Sequence, residues 1–216
     1  MAIQVQGNGG IVAEVDGANF RALRATMRPV DYGSLGAYSA CHLSGTMAAG
    51  LAANSEIFQF RWTDATRFAL ITQVMLCGMA GSATAFAAGF AKIDCLVARG
   101  WTADGSGGTA MTLTGNNQKL RTPMGTTLVG AIRGSSTAAL TAGTKTLDSQ
   151  PIGLMTWSIG TAANVIYVGQ VQLFDGASSH PIVLAQNEGI VCRATVPATG
   201  TWQFGLAVQW VEVTSY

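Results

Sequence analysis

Charged side chains are scarce in this chain. Asp, Glu, Lys and Arg make up 11% of its 216 residues, against about 25% in an average soluble domain. The formal net charge is +1. Surfaces that bind nucleic acid are strongly basic, so this balance argues against a DNA or RNA partner, and it offers no electrostatic attachment to a membrane. Histidine is reduced to His42 and His180, which leaves little for general acid–base chemistry. Both read as structural, His42 inside an alternating run and His180 before Pro181 in a turn. The nucleophile elbow, the phosphate loop, the dinucleotide fingerprint and the zinc-protease signature are all missing, and so is any Asn-x-Ser/Thr sequon. The first ten residues have neither a basic stretch nor an apolar core, so no secretory signal is expected there.

Cysteine is present without a framework. Cys41, Cys77, Cys95 and Cys192 contain no C-x-x-C pair, so neither ordinary zinc spacing nor a small disulfide scaffold is indicated. They read as buried free thiols, with a zinc site at Cys41 and the adjacent His42 as the alternative. Two long uncharged runs, 68–91 and 149–174, are interrupted by Gly, Thr, Gln and Asn and lack basic flanks, which argues against a membrane-spanning helix. No cofactor or metal is implied.

Turn residues and period-two runs dominate what remains. Glycine supplies 27 residues, nearly twice the usual share of about 7%. Trp202, Phe204, Leu206, Val208 and Trp210 fall on alternate positions, the mark of a strand with one bulky apolar face. With the β-branched run 189–196 and the link 197–200 they predict an antiparallel hairpin over 188–213, its aromatic face covered by a second sheet. Replacing Phe204 with Ala should then be costly. Further strands are predicted over 38–47, 56–62, 68–77, 90–99, 110–114, 128–133, 145–147, 152–159 and 165–173. The strand 68–77 is apolar on both faces and should be central or covered on both sides. Residues 100–108, with Trp101 among glycines, read as a flexible loop.

Short strands with turns every 8 to 15 positions predict an all-β, two-sheet antiparallel sandwich of jelly-roll type over residues 38–216. An immunoglobulin-like sandwich is the rival. Residues 1–37 carry Arg21, Arg24 and Arg28 in an alternating context and predict an extended N-terminal arm, a helix over 20–27 being the other reading. The arginines suit contacts with acidic groups on a neighbouring subunit. The acids Asp64, Asp104, Asp148 and Asp175 border predicted loops, and Glu56, Asp94 and Glu212 lie within strands, where they read as edge or solvent-facing residues. No carboxylate pair suited to glycoside hydrolysis stands out, so no catalytic residue is assigned. Trp62, Trp101 and Trp157 could form a sugar platform, although strand aromatics are usually core. Trp101 is the one placed as a candidate subunit contact.

The segment from His180 to Glu212, with Ser44-Gly-Thr-Met-Ala-Ala-Gly50, Phe58-Gln-Phe-Arg-Trp62 and Leu113-Thr-Gly-Asn-Asn-Gln-Lys-Leu-Arg-Thr122, resembles a family of tailed-bacteriophage virion structural proteins. The likeness covers most of residues 37–213. The resemblance implies a capsid decoration or cement protein of jelly-roll type. It would be made in the host cytoplasm and bound in the virion to the major capsid protein and to copies of itself, as a trimer. It transfers no catalytic residue. The competing class is a tail or fibre module that presents loops to a host receptor or glycan.

Overall fold

The computed structural model describes residues 5–6, 12–13, 36–48, 50–81, 84–159, 167–176 and 180–214. The chain divides into two units, Met1–Asp31 and Tyr32–Tyr216. In the first unit, β1 (Val5–Gln6) pairs antiparallel with β2 (Val12–Ala13). Arg21, Arg24 and Arg28, and the helix weighed over 20–27, lie outside the described residues.

The second unit is built of strands: β3 (Gly36–Leu43), β4 (Ser55–Trp62), β5 (Phe68–Gly81), β6 (Gly89–Ala103), β7 (Thr109–Ala110), β8 (Val129–Gly134), β9 (Thr144–Leu147), β10 (Gly153–Ile159), β11 (Tyr167–Val168), β12 (Val171–Asp175), β13 (Ile182–Leu184), β14 (Glu188–Thr195) and β15 (Trp202–Val213). There is no helix among the described residues, and so none long and apolar enough to cross a membrane.

The pairings nest one inside another. β3 pairs with β15, β4 with β14, β5 with β12 and β13, and β6 with β10, all antiparallel. The chain is in effect one long hairpin wound into two facing sheets. The first sheet runs β7-β8-β4-β14-β6-β10, with β9 beside the far half of β6; the second runs β3-β15-β5, with β11, β12 and β13 in succession along the outer edge of β5. Eight principal strands in this order make a two-sheet jelly roll. As its two apolar faces require, β5 is central.

The alternation in β15 places its bulky side chains between the sheets. Trp202, Phe204, Leu206, Val208 and Trp210 are all buried in one core with Phe58, Phe60 and Trp62 of β4 and Tyr38 of β3. The ring of Trp210 stacks on Tyr38 at 5.5 Å and meets the edge of Phe60 at 5.1 Å. Such offset and edge-on pairs add to simple burial.

The predicted hairpin over 188–213 does not form. β14 has both edges taken, by β4 and β6, and β15 has both taken by β3 and β5. The link between them crosses from one sheet to the other. Its hydrogen bonds run to the 84–87 segment rather than across a turn: Thr201 N donates to Thr84 O at 3.0 Å, and Ala87 N to the Thr199 side chain at Oγ1, at 3.1 Å. Gly200, at φ +107°, lets Phe86 approach to within 2.7 Å of where a Cβ would stand. Turn chemistry in a short link serves an arch between sheets about 10 Å apart as well as a hairpin.

A second correction concerns residues 100–103. β6 continues through Gly100, at φ +58°, to Ala103, and Trp101 N donates to Asn187 O at 2.8 Å. Only the remainder of the predicted loop, from Asp104 to the start of β7, is irregular.

Candidate assembly surfaces

Charge is divided unequally between the two sheets. The strands of the first carry Glu56, Arg61, Lys92, Asp94, Arg99, Arg133, Lys145, Glu188 and Arg193, whereas those of the second carry only Asp175 and Glu212. Because successive side chains alternate between faces, Arg61, Lys92, Asp94 and Arg193 point outward while Phe58, Phe60, Ile93, Cys95, Ile190 and Cys192 point into the core, and a register shift brings Glu56 opposite Arg193.

The charges of the first sheet are largely locked together. Asp94 accepts from Arg193 through both oxygens, Nε to Oδ1 and Nη2 to Oδ2 each at 2.9 Å, and from Lys92 Nζ at 2.9 Å. Burial alone would raise the Asp94 carboxyl, but the hydrogen bonds and charges of Arg193 and Lys92 outweigh it and hold the group below its ordinary range. Arg99 forks onto Asp148 and also reaches Glu188 at 2.6 Å. Arg61 bonds Asp104 at 3.0 Å. Lys145 pairs with Glu56 at 2.8 Å, with side chains only 2% and 9% exposed, and its Nζ stands 4.6 Å from the centre of the Trp101 ring.

Glu56, Asp94 and Glu212, expected at an edge or facing solvent, are therefore buried. Each has dedicated donors that a local reading cannot supply. Glu212 points inward and accepts from Thr127 Oγ1 at 2.5 Å, Leu128 N at 2.9 Å and Trp210 Nε1 at 3.4 Å. Desolvation raises its pKa above the ordinary 4.5, and these bonds only partly oppose the rise. A carboxyl raised in the folded state contributes stability below its unfolded pKa and loses it as pH rises through the folded value. The stability of the native chain relative to Glu212→Gln should therefore increase as pH falls from neutrality towards 4.5. Urea denaturation of both proteins across that range checks this, and a difference that shrinks on acidification refutes it.

The tryptophans form no platform. Trp62 and Trp101 are fully buried in separate clusters, Trp62 donating to Arg67 O at 2.9 Å and Trp101 to Ala103 O at 3.0 Å. With no exposed area of its own, Trp101 does not present the subunit contact expected of it; its ring closes a small cluster with Ala98 and Val191, and Leu147 packs on it. Nothing local marked it as core, because the residues that cover it come from β9 and β14.

His42 faces inward from β3, its Nε2–H donating to Ser135 O at 2.6 Å. Cys41, its neighbour, faces outward. The two lie on opposite sides of one strand and cannot share an ion. His180 is exposed, with Nδ1 2.7 Å from Pro181 O. Cys95 and Cys192 are buried as expected, facing each other across β6 and β14, but Cys41 and Cys77 are exposed. Partial burial, then the Cys41 thiol, push Cys77 up to about 11. Among the described residues no three of His, Cys, Asp and Glu come together as a metal site would require.

The outer face of the second sheet is the counterpart of the charged one. At the end where β3 leaves the sheet it presents Cys41, Leu43, Cys77 and Gln203, with Leu43 75% exposed. A shallow depression of about 200 Å³ opens beside them over Gly205. No charged side chain points from β3, β5 or β15 to this face.

No family model, no curated protein and no solved structure matches this chain. What it can do therefore rests on the jelly roll and on the contrast between its two outer faces.

Proposed function

We propose that the chain is a non-enzymatic structural protein of a tailed-bacteriophage virion. In this reading it is a capsid decoration or cement protein, made in the host cytoplasm, that binds the major capsid protein and copies of itself as a homotrimer and stabilises the head shell. The observation that carries the reading is the outer face of β3, β15 and β5, which carries no charged side chain, set against a first sheet whose charges are paired internally. A face without charged groups can be brought against another protein at a lower desolvation cost than a charged one. The sequence resemblance supplies the partner.

The test is binding of the purified protein to purified empty heads, followed by co-sedimentation. Leu43→Glu places a charge on the uncharged face and should weaken both self-association and head binding, with little change in thermal transition because the side chain is already exposed. Full binding by this variant sinks the choice of face. Binding of the native chain to host-surface glycan, with none to heads, would replace the proposal by the tail-module reading.

Deleting residues 1–30 should leave the thermal transition of the β domain nearly unchanged while weakening attachment to heads. Replacing Arg21, Arg24 and Arg28 together by Ala should reproduce part of the loss, since bidentate guanidinium contacts carry orientation as well as charge. If the deletion unfolds the domain, the segment belongs to the core. If head binding is untouched, it is not the anchor.

A further inference from the structure

We propose that Cys95 and Cys192 form a latent cross-strand disulfide, closed by exchange with a small-molecule disulfide of the glutathione class when the ladder between β6 and β14 opens, and that the bond then staples these two interior strands of the first sheet. The two residues are direct partners in the antiparallel register of β6 and β14. Both side chains are fully buried in the core between the sheets, so they leave their strands on one face. Cys95 O accepts from Ile152 N at 2.8 Å, on the side of β6 where β10 lies. The Cys95 backbone groups therefore point away from β14. The rung shared with Cys192 is then a non-hydrogen-bonded one, in which the Cα atoms stand about 4.5 Å apart and the side chains are closest. A disulfide accepts Cα separations of roughly 4.4 to 6.8 Å.

The neighbouring rungs hold this pair in register and leave it room to adjust. Asp94 lies opposite Arg193 on the next rung and accepts from it through both carboxylate oxygens, each at 2.9 Å. On its other edge β14 shifts register against β4 between Cys192 and Arg193. Such a bulge lets a strand bend locally, so the sulfurs can close without β6 leaving β10. The closed fold itself resists the reaction. A thiolate is the attacking species in exchange, and the Cys192 thiol, followed by burial, holds the Cys95 thiol well above its ordinary range. An oxidant reaches either sulfur only when the strands part, whereas the exposed Cys41 and Cys77 are open to it in the native chain.

The exchange balances in two steps. One protein thiolate attacks oxidised glutathione, forming a mixed disulfide and releasing one glutathione; the second protein thiolate displaces the other glutathione from that mixed disulfide. Two protein S–H bonds and the glutathione S–S bond break, and one protein S–S bond and two glutathione S–H bonds form. The chain gives up two electrons and the oxidant takes them.

The test holds the full native chain with oxidised glutathione at room temperature and just below its melting temperature, then cools it, alkylates the remaining thiols and digests it without reductant. Glutathione on Cys41 and Cys77 is expected in both samples, and a peptide pair linked through Cys95 and Cys192 only in the heated one. The bond closes a loop of roughly 100 residues, so the heated sample should melt about 10 °C above the room-temperature one. Dithiothreitol should remove the gain. Cys192→Ala, treated in the same way, should carry glutathione on Cys95 and show no gain. Because the linked peptides are read in the native chain, the test stands if that variant misfolds. Separate glutathione adducts on Cys95 and Cys192 after heating, free thiols at both, linkage of either to Cys41 or Cys77, or a linked pair without a rise in melting temperature overturns the proposal.

Discussion

Lys145→Met is expected to destabilise the β domain by about 3 to 5 kcal/mol, because it leaves the Glu56 carboxylate buried without its counter-charge. The ammonium and the carboxylate are 2.8 Å apart and almost wholly removed from water. Gln59 Nε2, at 2.5 Å from Glu56, is the only other donor to that oxygen among the described residues, and it is itself held by Thr141 O at 2.8 Å. Lys145 also donates to Ala142 O and covers the Trp101 ring, so the variant loosens the 135–144 connection as well. In a domain of this size the loss corresponds to a fall in melting temperature of about 6 to 20 °C. Replacing both partners, Lys145→Met with Glu56→Leu, should recover most of the loss, because two apolar side chains leave no orphaned charge. A single variant that costs less than about 1 kcal/mol would show that water reaches the pair and that it counts as a surface bridge.

Phe204→Ala is expected to cost about 3 to 5 kcal/mol, the range for emptying an aromatic site in a close-packed core. Phe204 is 1% exposed, with ring centres 5.3 Å from Trp202 and 5.9 Å from His42. Its backbone N–H is bonded to Ser44 Oγ at 2.9 Å, which holds the strand in place and limits collapse around the void. The neighbouring Gln203 points outward and is exposed, so Gln203→Ala should change stability by no more than about 0.5 kcal/mol. Equal effects at the two positions would mean that the alternation in β15 does not divide core from surface.

Period-two alternation is a local property, and the sequence alone determined whatever depends on it. It marked Trp202 to Trp210 as one buried face and gave β5 two apolar faces and so a central place. It also set the all-β class, because short strands with one apolar side must bury that side against another sheet. Pairing is not local in this sense. The run 188–213 reads as a hairpin because its two strands are neighbours in sequence, yet their four edges are filled by β3, β4, β5 and β6, and only the nested topology decides that.

Burial of charge follows the same rule. Asp94 meets Arg193 across 99 positions and Glu56 meets Lys145 across 89; each acid looks solvent-facing until its partner is known, since an unpaired carboxylate could not afford to be buried. Trp101 reads as a loop residue in sequence because the strands that cover it, β9 and β14, are distant in the chain. Side-chain direction was written in the spacing of the residues, whereas proximity between distant strands was set by which edges the winding of the chain left open.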